Sequence, residues 1–320
     1  MRDHGGGVDA AAARFGGARG HWIDLSTGIN PVPYPVGDLP LEVWTALPDA
    51  AAMAAVLEAA RRFWNVPEGA EIIAAPGASA LIAAMPVLAG PGDVHVPGPT
   101  YNEHAAAFRA HGRVVRDDDP AAPVHVYVHP NNPDGRRWPA SVIGGRTLTV
   151  IDESFCDVVP GQSHVARAAA PGVVVLKSFG KFWGLAGLRL GFAIGRRDTL
   201  APDRVAGLAD LLGPWPVSGA ALQIGARALR DAAWAQATRD RLADDADRLD
   251  RMVTQAGAEV MGGTTLFRLY DIPDAERWQD HLARHRIWTR RFPYNPRWLR
   301  LGLPGPGDWD RLQAALEGVA

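Results

Sequence analysis

Val173-Val174-Val175-Leu176-Lys177-Ser178-Phe179-Gly180-Lys181 is an apolar, β-branched run that ends in a hydroxyl and two amines, and Leu188-Arg189-Leu190-Gly191 follows it closely. A short continuous run of this kind predicts a strand buried on both faces, opening into a functional turn. Lys177 and Lys181 are the only two lysines in the chain; every other basic residue is arginine. Arginine is always charged and a strong donor, so it can replace lysine at most surface sites. It does not readily present a neutral amine as a nucleophile. Two lysines retained so close together therefore point to an amine that is needed there. A coding bias with two chance survivors is the plain alternative.

The neighbouring sequence repeats the theme. Strand-like runs at 72–75, 93–96, 124–128, 148–151, 173–176 and 190–194 alternate with helical spacing at 50–64, 78–88 and 102–111. Such alternation predicts an α/β fold with a mainly parallel sheet covered by helices. Before it, residues 1–44 are rich in Gly and Pro and read as an extended arm. After it, a long helical pattern over 229–257 leads to 258–269, a helix around 275–286 and the strand-like 298–301, which together suggest a small α+β domain. The expected organisation is an arm at 1–44 packing with the small domain and active site, a large domain at 45–228 and a small domain at 229–320.

Composition narrows the function. Lys plus Arg number 33 against 35 Asp plus Glu, a net charge of −2. That balance provides no long-range attraction to nucleic acid or an anionic membrane, so neither is expected as a partner. One cysteine, Cys156, excludes an internal disulfide framework and a thiolate-rich metal site. The start, through Gly7, lacks the apolar core of a secretory signal, and Pro and Gly interrupt the longest apolar stretch, at 71–90. A cytoplasmic protein is expected.

The predicted strand ends, where open α/β sheets place ligands, carry an ordered set of groups. Pro76-Gly77-Ala78-Ser79 opens a helix and offers free N–H groups to a phosphate. Tyr101 supplies an aromatic face, and Asn131-Asn132-Pro133-Asp134-Gly135 an amide held in a turn. Asp152 is an acid at the end of a buried strand, which makes a cationic partner necessary. Lys181, Ser178 and Arg189 add amine, hydroxyl and guanidinium. Singly, each has a bland reading as cap, core ring or turn. Together they form the set that pyridoxal phosphate requires: an amine for its aldehyde, a ring partner, a carboxylate for its pyridine nitrogen and a cradle for its phosphate.

These segments resemble the fold-type I pyridoxal phosphate enzymes of the histidinol-phosphate aminotransferase-like group. Within it they most resemble the L-threonine-O-3-phosphate decarboxylases of cobalamin biosynthesis. The resemblance runs from His4-Gly5-Gly6 and Asp24-Leu25-Ser26-Thr27-Gly28-Ile29-Asn30-Pro31 through Pro99-Thr100-Tyr101, Asp152-Glu153, Ser178-Phe179-Gly180-Lys181 and Leu185-Ala186-Gly187-Leu188-Arg189-Leu190-Gly191-Phe192. It implies that Lys181 holds the cofactor aldehyde, Asp152 pairs with the pyridine nitrogen, Asn132 bonds the ring oxygen and Tyr101 stacks on the ring. Gly77, Ala78, Ser79, Ser178 and Arg189 would hold the cofactor phosphate. For the substrate it implies His4, Gly28, Ile29, Asn132, Arg290 and Arg300, with Arg300 on the carboxylate and Arg290 and His4 on the phosphate. It further implies a homodimer acting on a small phosphorylated amino acid, threonine phosphate first and serine phosphate still open. A histidinol-phosphate-type aminotransferase is the alternative.

The departures matter. Phe155 stands where the aminotransferases often carry tyrosine, which suits the decarboxylases better. Leu47-Pro48 replaces the Tyr-Pro of the aminotransferases. Lys177 occupies a place where arginine is expected, and it rivals Lys181 for the cofactor. His281 and His285, and His125 and His129, have metal-like spacing but lack a third ligand nearby in sequence, so no metal is expected.

Overall fold

The structure is a computed structural model that describes residues 4–203 and 205–319; the first three residues of the start considered above lie outside that set. In chain order the strands are β1 (Ile23–Asp24), β2 (Glu71–Ala75), β3 (Val94–His95), β4 (Val115–Arg116), β5 (Val124–Val128), β6 (Leu148–Asp152), β7 (Val173–Ser178) and β8 (Gly191–Gly195). There follow β9 (Glu259–Thr264), β10 (Phe267–Asp271), β11 (Ile287–Trp288), β12 (Arg290–Phe292) and β13 (Asn295–Gly302). Two compact units result. One comprises Tyr34–Asn132 and Arg136–Ala235; the other comprises the residues up to Pro33, Pro133–Gly135 and those from Gln236 onward.

The larger unit is built on a seven-stranded sheet of order β2-β8-β7-β6-β5-β3-β4. Its pairings are parallel except at β8, which runs antiparallel to both β2 and β7. All residues of β5 and β6 are buried, polar His125, Thr149 and Asp152 included, which explains why these runs are mainly apolar and β-branched. Helices Ala50–Phe63, Ala78–Leu88 and Asn102–Ala110 lie within 1 residue of the ranges read from spacing. Asp49 caps the first by accepting from the Ala51 and Ala52 amides. The expected mainly parallel sheet is present.

In the smaller unit, β12-β13-β10-β9 form an antiparallel sheet and β1 pairs in parallel with β11. The N-terminal segment is not wholly extended. Alanine-rich Val8–Phe15 is helical and buries Val8 and Ala11 with Trp22 and Ala283. Flanking glycines obscured this helix in the sequence. Among the described residues no helix is long and apolar enough to cross a membrane.

The turn at Pro133–Gly135 belongs to this smaller unit because it packs directly on β9. The Gly263 amide donates to the Asp134 carbonyl at 2.9 Å. Gly135 has φ +72°, and a Cβ there would lie 1.9 Å from the Gly263 carbonyl oxygen. Gly135→Ala therefore combines left-handed strain of about 1–2 kcal/mol with a backbone collision that only displacement of β9 relieves. We expect a loss of stability exceeding the strain alone, measured as a lower denaturant midpoint with an unchanged slope.

Candidate active site

Within the larger unit, the ends of the parallel strands converge on a cavity of about 140 Å³. Its walls include Ala78, Ser79, Tyr101, Asn132, Asp152, Phe155, Lys181 and Arg189. Seven of these eight were singled out as cofactor residues from sequence, and five segments far apart in the chain supply them. The sheet brings them together because β5, β6 and β7 run parallel, so the loops after them open at the same end.

Asp152 is held through both of its carboxylate oxygens. One carboxylate oxygen accepts from His104 Nε2 at 2.8 Å, and the other accepts from the Ser154 amide at 2.9 Å and the Ser154 hydroxyl at 2.5 Å. Burial alone would raise its pKa. The His104 hydrogen bond and charge, with the two Ser154 bonds, outweigh burial and hold it below the ordinary aspartate value. An ionised, buried carboxylate thus lines the cavity, suited to pairing with a protonated ring nitrogen.

His104 is the functional residue that the sequence reading missed. It is fully buried on helix Asn102–Ala110, one turn after Tyr101, and forms an i, i+4 pair with buried Phe108. That spacing reads as an ordinary core face. The available signal was the spacing Tyr101-Asn102-Glu103-His104 just after a strand end, which places an imidazole behind the site.

The anion end of the cavity lies at helix Ala78–Leu88. Gly77 precedes it with φ +86° and provides no side-chain cap, so the first amides face outward. A Cβ on Gly77 would come 2.8 Å from an Arg189 guanidinium nitrogen, so glycine lets backbone and cation approach together. Arg189 itself has φ +53° and donates to the Ala186 carbonyl at 3.1 Å. Gly77 and Ser178 flank the cavity without lining it. The Ser178 hydroxyl accepts from the Gly180 amide at 3.2 Å and shapes the turn before Lys181.

The two lysines part company in space. Lys181 Nζ lies in the cavity, 5.3 Å from the centre of the Phe155 ring. Lys177 is 1% exposed and bonds Glu153 at 2.7 Å and Asp157 at 3.3 Å. Burial disfavours its charge, but Glu153 and Asp157 more than offset this and raise its pKa. An ammonium so held is not a nucleophile. Tyr101 also remains un-ionised, its phenol pushed up to about 12 by burial and then by Asp152 and Glu103. Burial pushes the Cys156 thiol up as well, which leaves it inert.

Of the expected substrate residues, Asn132 lies in the larger unit at the cavity just described, and His4, Gly28, Ile29, Arg290 and Arg300 lie in the smaller unit. A cavity of about 760 Å³ there has His4, Ser26, Gln279, Trp288 and Arg290 among its walls. Arg300 is 5% exposed and donates to the Ser26 carbonyl at 2.5 Å. Arg290 and Arg300 are direct register partners across β12 and β13. Burial, then the neighbouring Arg290 charge, pushes the Arg300 pKa down to about 9. Two like charges opposite each other destabilise a sheet, a cost that a bound anion removes. Gly28 and Ile29 follow β1, and neither they nor Arg300 are among the cavity walls. His281 Nε2 bonds the Ala315 carbonyl and His129 Nε2 the Gln162 carbonyl, so both serve packing. Among the described residues, no group of three His, Cys, Asp or Glu is placed to hold a metal.

The sequence pattern of the family described as aminotransferase class I and II matches residues 126–318. The chain belongs to this family. It is 39% identical over 336 aligned positions to the threonine-phosphate decarboxylase of Pseudomonas aeruginosa, covering 99% of this chain and 98% of that one. A histidinol-phosphate aminotransferase of Mycobacterium bovis is 35% identical over 179 positions, covering 54% of this chain and 47% of its own. The fold is similar to that of histidinol-phosphate aminotransferase from Sinorhizobium meliloti, solved in complex with pyridoxal-5'-phosphate. There the TM-score is 0.77 at 22% identity, over 98% of this chain and 94% of that one.

Proposed function

We propose that the protein is a pyridoxal phosphate-dependent carboxy-lyase of cobalamin biosynthesis. Its reaction converts L-threonine O-3-phosphate to (R)-1-amino-2-propanol O-2-phosphate and CO2. The observation that carries this reading is the near full-length identity to a threonine-phosphate decarboxylase, whereas the aminotransferase match covers about half of each chain.

The cavity fits the cofactor. Pyridoxal phosphate, when bound, supplies an aldehyde that takes an amine and a ring that withdraws an electron pair. Lys181 would hold that aldehyde and give it up to the substrate amine. Asp152, kept ionised by His104 and Ser154, would keep the ring nitrogen protonated. Asn132 and Tyr101 would orient the ring, and Ser79, Arg189 and the amides after Gly77 would bind its phosphate.

The substrate carries a carboxylate and a phosphate, and the Arg290–Arg300 pair supplies two planar donors for them. In our reading Arg300 holds the carboxylate, and Arg290 and His4 the phosphate. This orientation selects the bond to the carboxylate for cleavage. When CO2 departs, Lys181 Nζ holds the proton that Cα takes in its place. Phe155, which cannot donate to the ring oxygen, distinguishes this site from the tyrosine-bearing aminotransferases.

A cytoplasmic homodimer is part of the proposal. Exposed Leu41, Trp44, Leu47 and Trp215 in the larger unit support a covered surface there, and light scattering checks the mass. The reaction is tested by supplying L-threonine O-phosphate to the cofactor-loaded protein without a keto acid. We expect CO2 and aminopropanol phosphate in equal amounts over many turnovers. Turnover only with histidinol phosphate and 2-oxoglutarate would make the protein an aminotransferase instead.

A further inference from the structure

Lys177 is one of two lysines in the chain, and the proposed chemistry uses only the other. Its surroundings are nevertheless built with care. Lys177, Glu153 and Asp157 are 1%, 0% and 4% exposed, respectively. The ammonium bonds Glu153 at 2.7 Å and Asp157 at 3.3 Å, and lies 5.5 Å from the centre of the Trp64 ring. Glu153 also accepts from the Ser163 hydroxyl at 2.6 Å and the His164 amide at 2.5 Å. Asp157 also accepts from the indoles of Trp64 at 2.9 Å and Trp183 at 3.3 Å. One cation therefore ties together two acids, each braced by further donors.

The placement of these groups gives the cluster a role. Glu153 follows Asp152 at the end of β6, and Lys177 precedes Ser178 at the end of β7. The backbone already joins these ends, since the Glu153 amide donates to the Leu176 carbonyl at 2.9 Å. Successive residues of an extended chain face opposite ways, so Lys177 and Glu153 bond behind the sheet end whose front carries Asp152 and the turn to Lys181. Trp183, bonded to Asp157, lies two residues beyond Lys181 and stacks on Phe179 at 5.1 Å and on Trp234 at 5.3 Å. The turn holding Lys181 is thus gripped on both sides.

We infer that Lys177, Glu153 and Asp157 form a positioning clamp that sets the cofactor-facing residues Asp152 and Lys181 relative to each other. The inference rests on the reading that those two residues hold pyridoxal phosphate. A lysine suits the task because its compact ammonium can serve both carboxylates from one point. Its raised pKa keeps the clamp charged throughout the neutral range.

The test compares wild type, Lys177→Met and the double variant Lys177→Met/Glu153→Gln. The single variant leaves two buried carboxylates, Glu153 and Asp157, without their cation and can fail to fold. The double variant removes one positive and one negative charge, so the cluster's net charge is unchanged, and the remaining Asp157 keeps its Trp64 and Trp183 indole donors. Removing an acid together with its cation is better tolerated than removing the cation alone. Its glutamine oxygen still accepts from His164. Three quantities are read: the dissociation constant of pyridoxal phosphate, the visible circular dichroism of the bound cofactor, and kcat against KM.

For the double variant we expect a folded protein that binds the cofactor about tenfold more weakly, with a reduced visible dichroism band. We also expect kcat lower by about tenfold with KM unchanged. A lower melting temperature with dichroism, affinity and kcat all as in wild type would overturn the clamp and leave a merely structural cluster. If wild type itself shows no dichroic, borohydride-reducible cofactor, the reading of the cavity has failed, and with it the basis of the clamp.

Discussion

Lys181→Ala loses covalent attachment of pyridoxal phosphate and essentially all turnover, although the chain still contains Lys177. The chain has only these two lysines, so attachment can be assigned with unusual clarity. Borohydride reduction of the wild-type protein with its cofactor should place the label on Lys181, located by peptide mass. Lys177 is paired with two buried acids, and its amine stays protonated and enclosed. In the alanine variant no lysine label is therefore expected. Loss of the proton carrier alone lowers the rate by roughly 10²–10⁴-fold, and loss of the amine that holds the aldehyde adds to it. The fold should survive, since Lys181 is only half-buried and its cavity can admit water. A label on Lys177, or turnover near that of wild type, would show that the amine has been misassigned.

Much of this site was legible because parallel sheets write themselves plainly into sequence. The runs at β5, β6 and β7 are rich in β-branched apolar residues, and the chemistry-bearing residues come at or just beyond their ends. Asp152, Asn132 and Lys181 could thus be placed at one sheet end without knowing the strand order. What escaped was what depends on side chains meeting across the fold. His104 looked like core because its helical spacing with Phe108 is that of a core face. The Lys177 partners were hidden for a different reason. Glu153 and Asp157 are four residues apart, but their loop also folds Ser163 and His164 back onto Glu153. Nor did spacing disclose that Arg290 and Arg300 pair across a hairpin, since that register contains a shift between Arg291 and Phe292. The turn at Pro133–Gly135 was recognised as a turn, but its packing on β9 follows only from the approach of two glycine-bearing segments.

The second large effect concerns Asp152, for which asparagine is the informative substitution. Alanine would leave the Ser154 donors and buried His104 without their acceptor, and each unpaired buried group costs about 1–3 kcal/mol. Asparagine keeps an oxygen for Ser154. Its amide nitrogen can donate to His104 Nε2 if the imidazole carries its proton on Nδ1, an atom with no partner among the described residues. Asp152→Asn should therefore fold while losing the charge that keeps the ring nitrogen protonated. Removal of a preorganised charge of this kind lowers kcat on the order of 10²–10³-fold, with little change expected in KM. The same carboxylate leaves a mark on stability. Its folded pKa lies below its unfolded value, so its contribution is present above the ordinary aspartate range and is lost as pH falls through the depressed folded value. Wild type should accordingly lose stability between those two points more steeply than the asparagine variant. Acid unfolding curves of equal steepness, or a kcat within about threefold of wild type, would mean that Asp152 is a structural acid and that the ring nitrogen is held by another group.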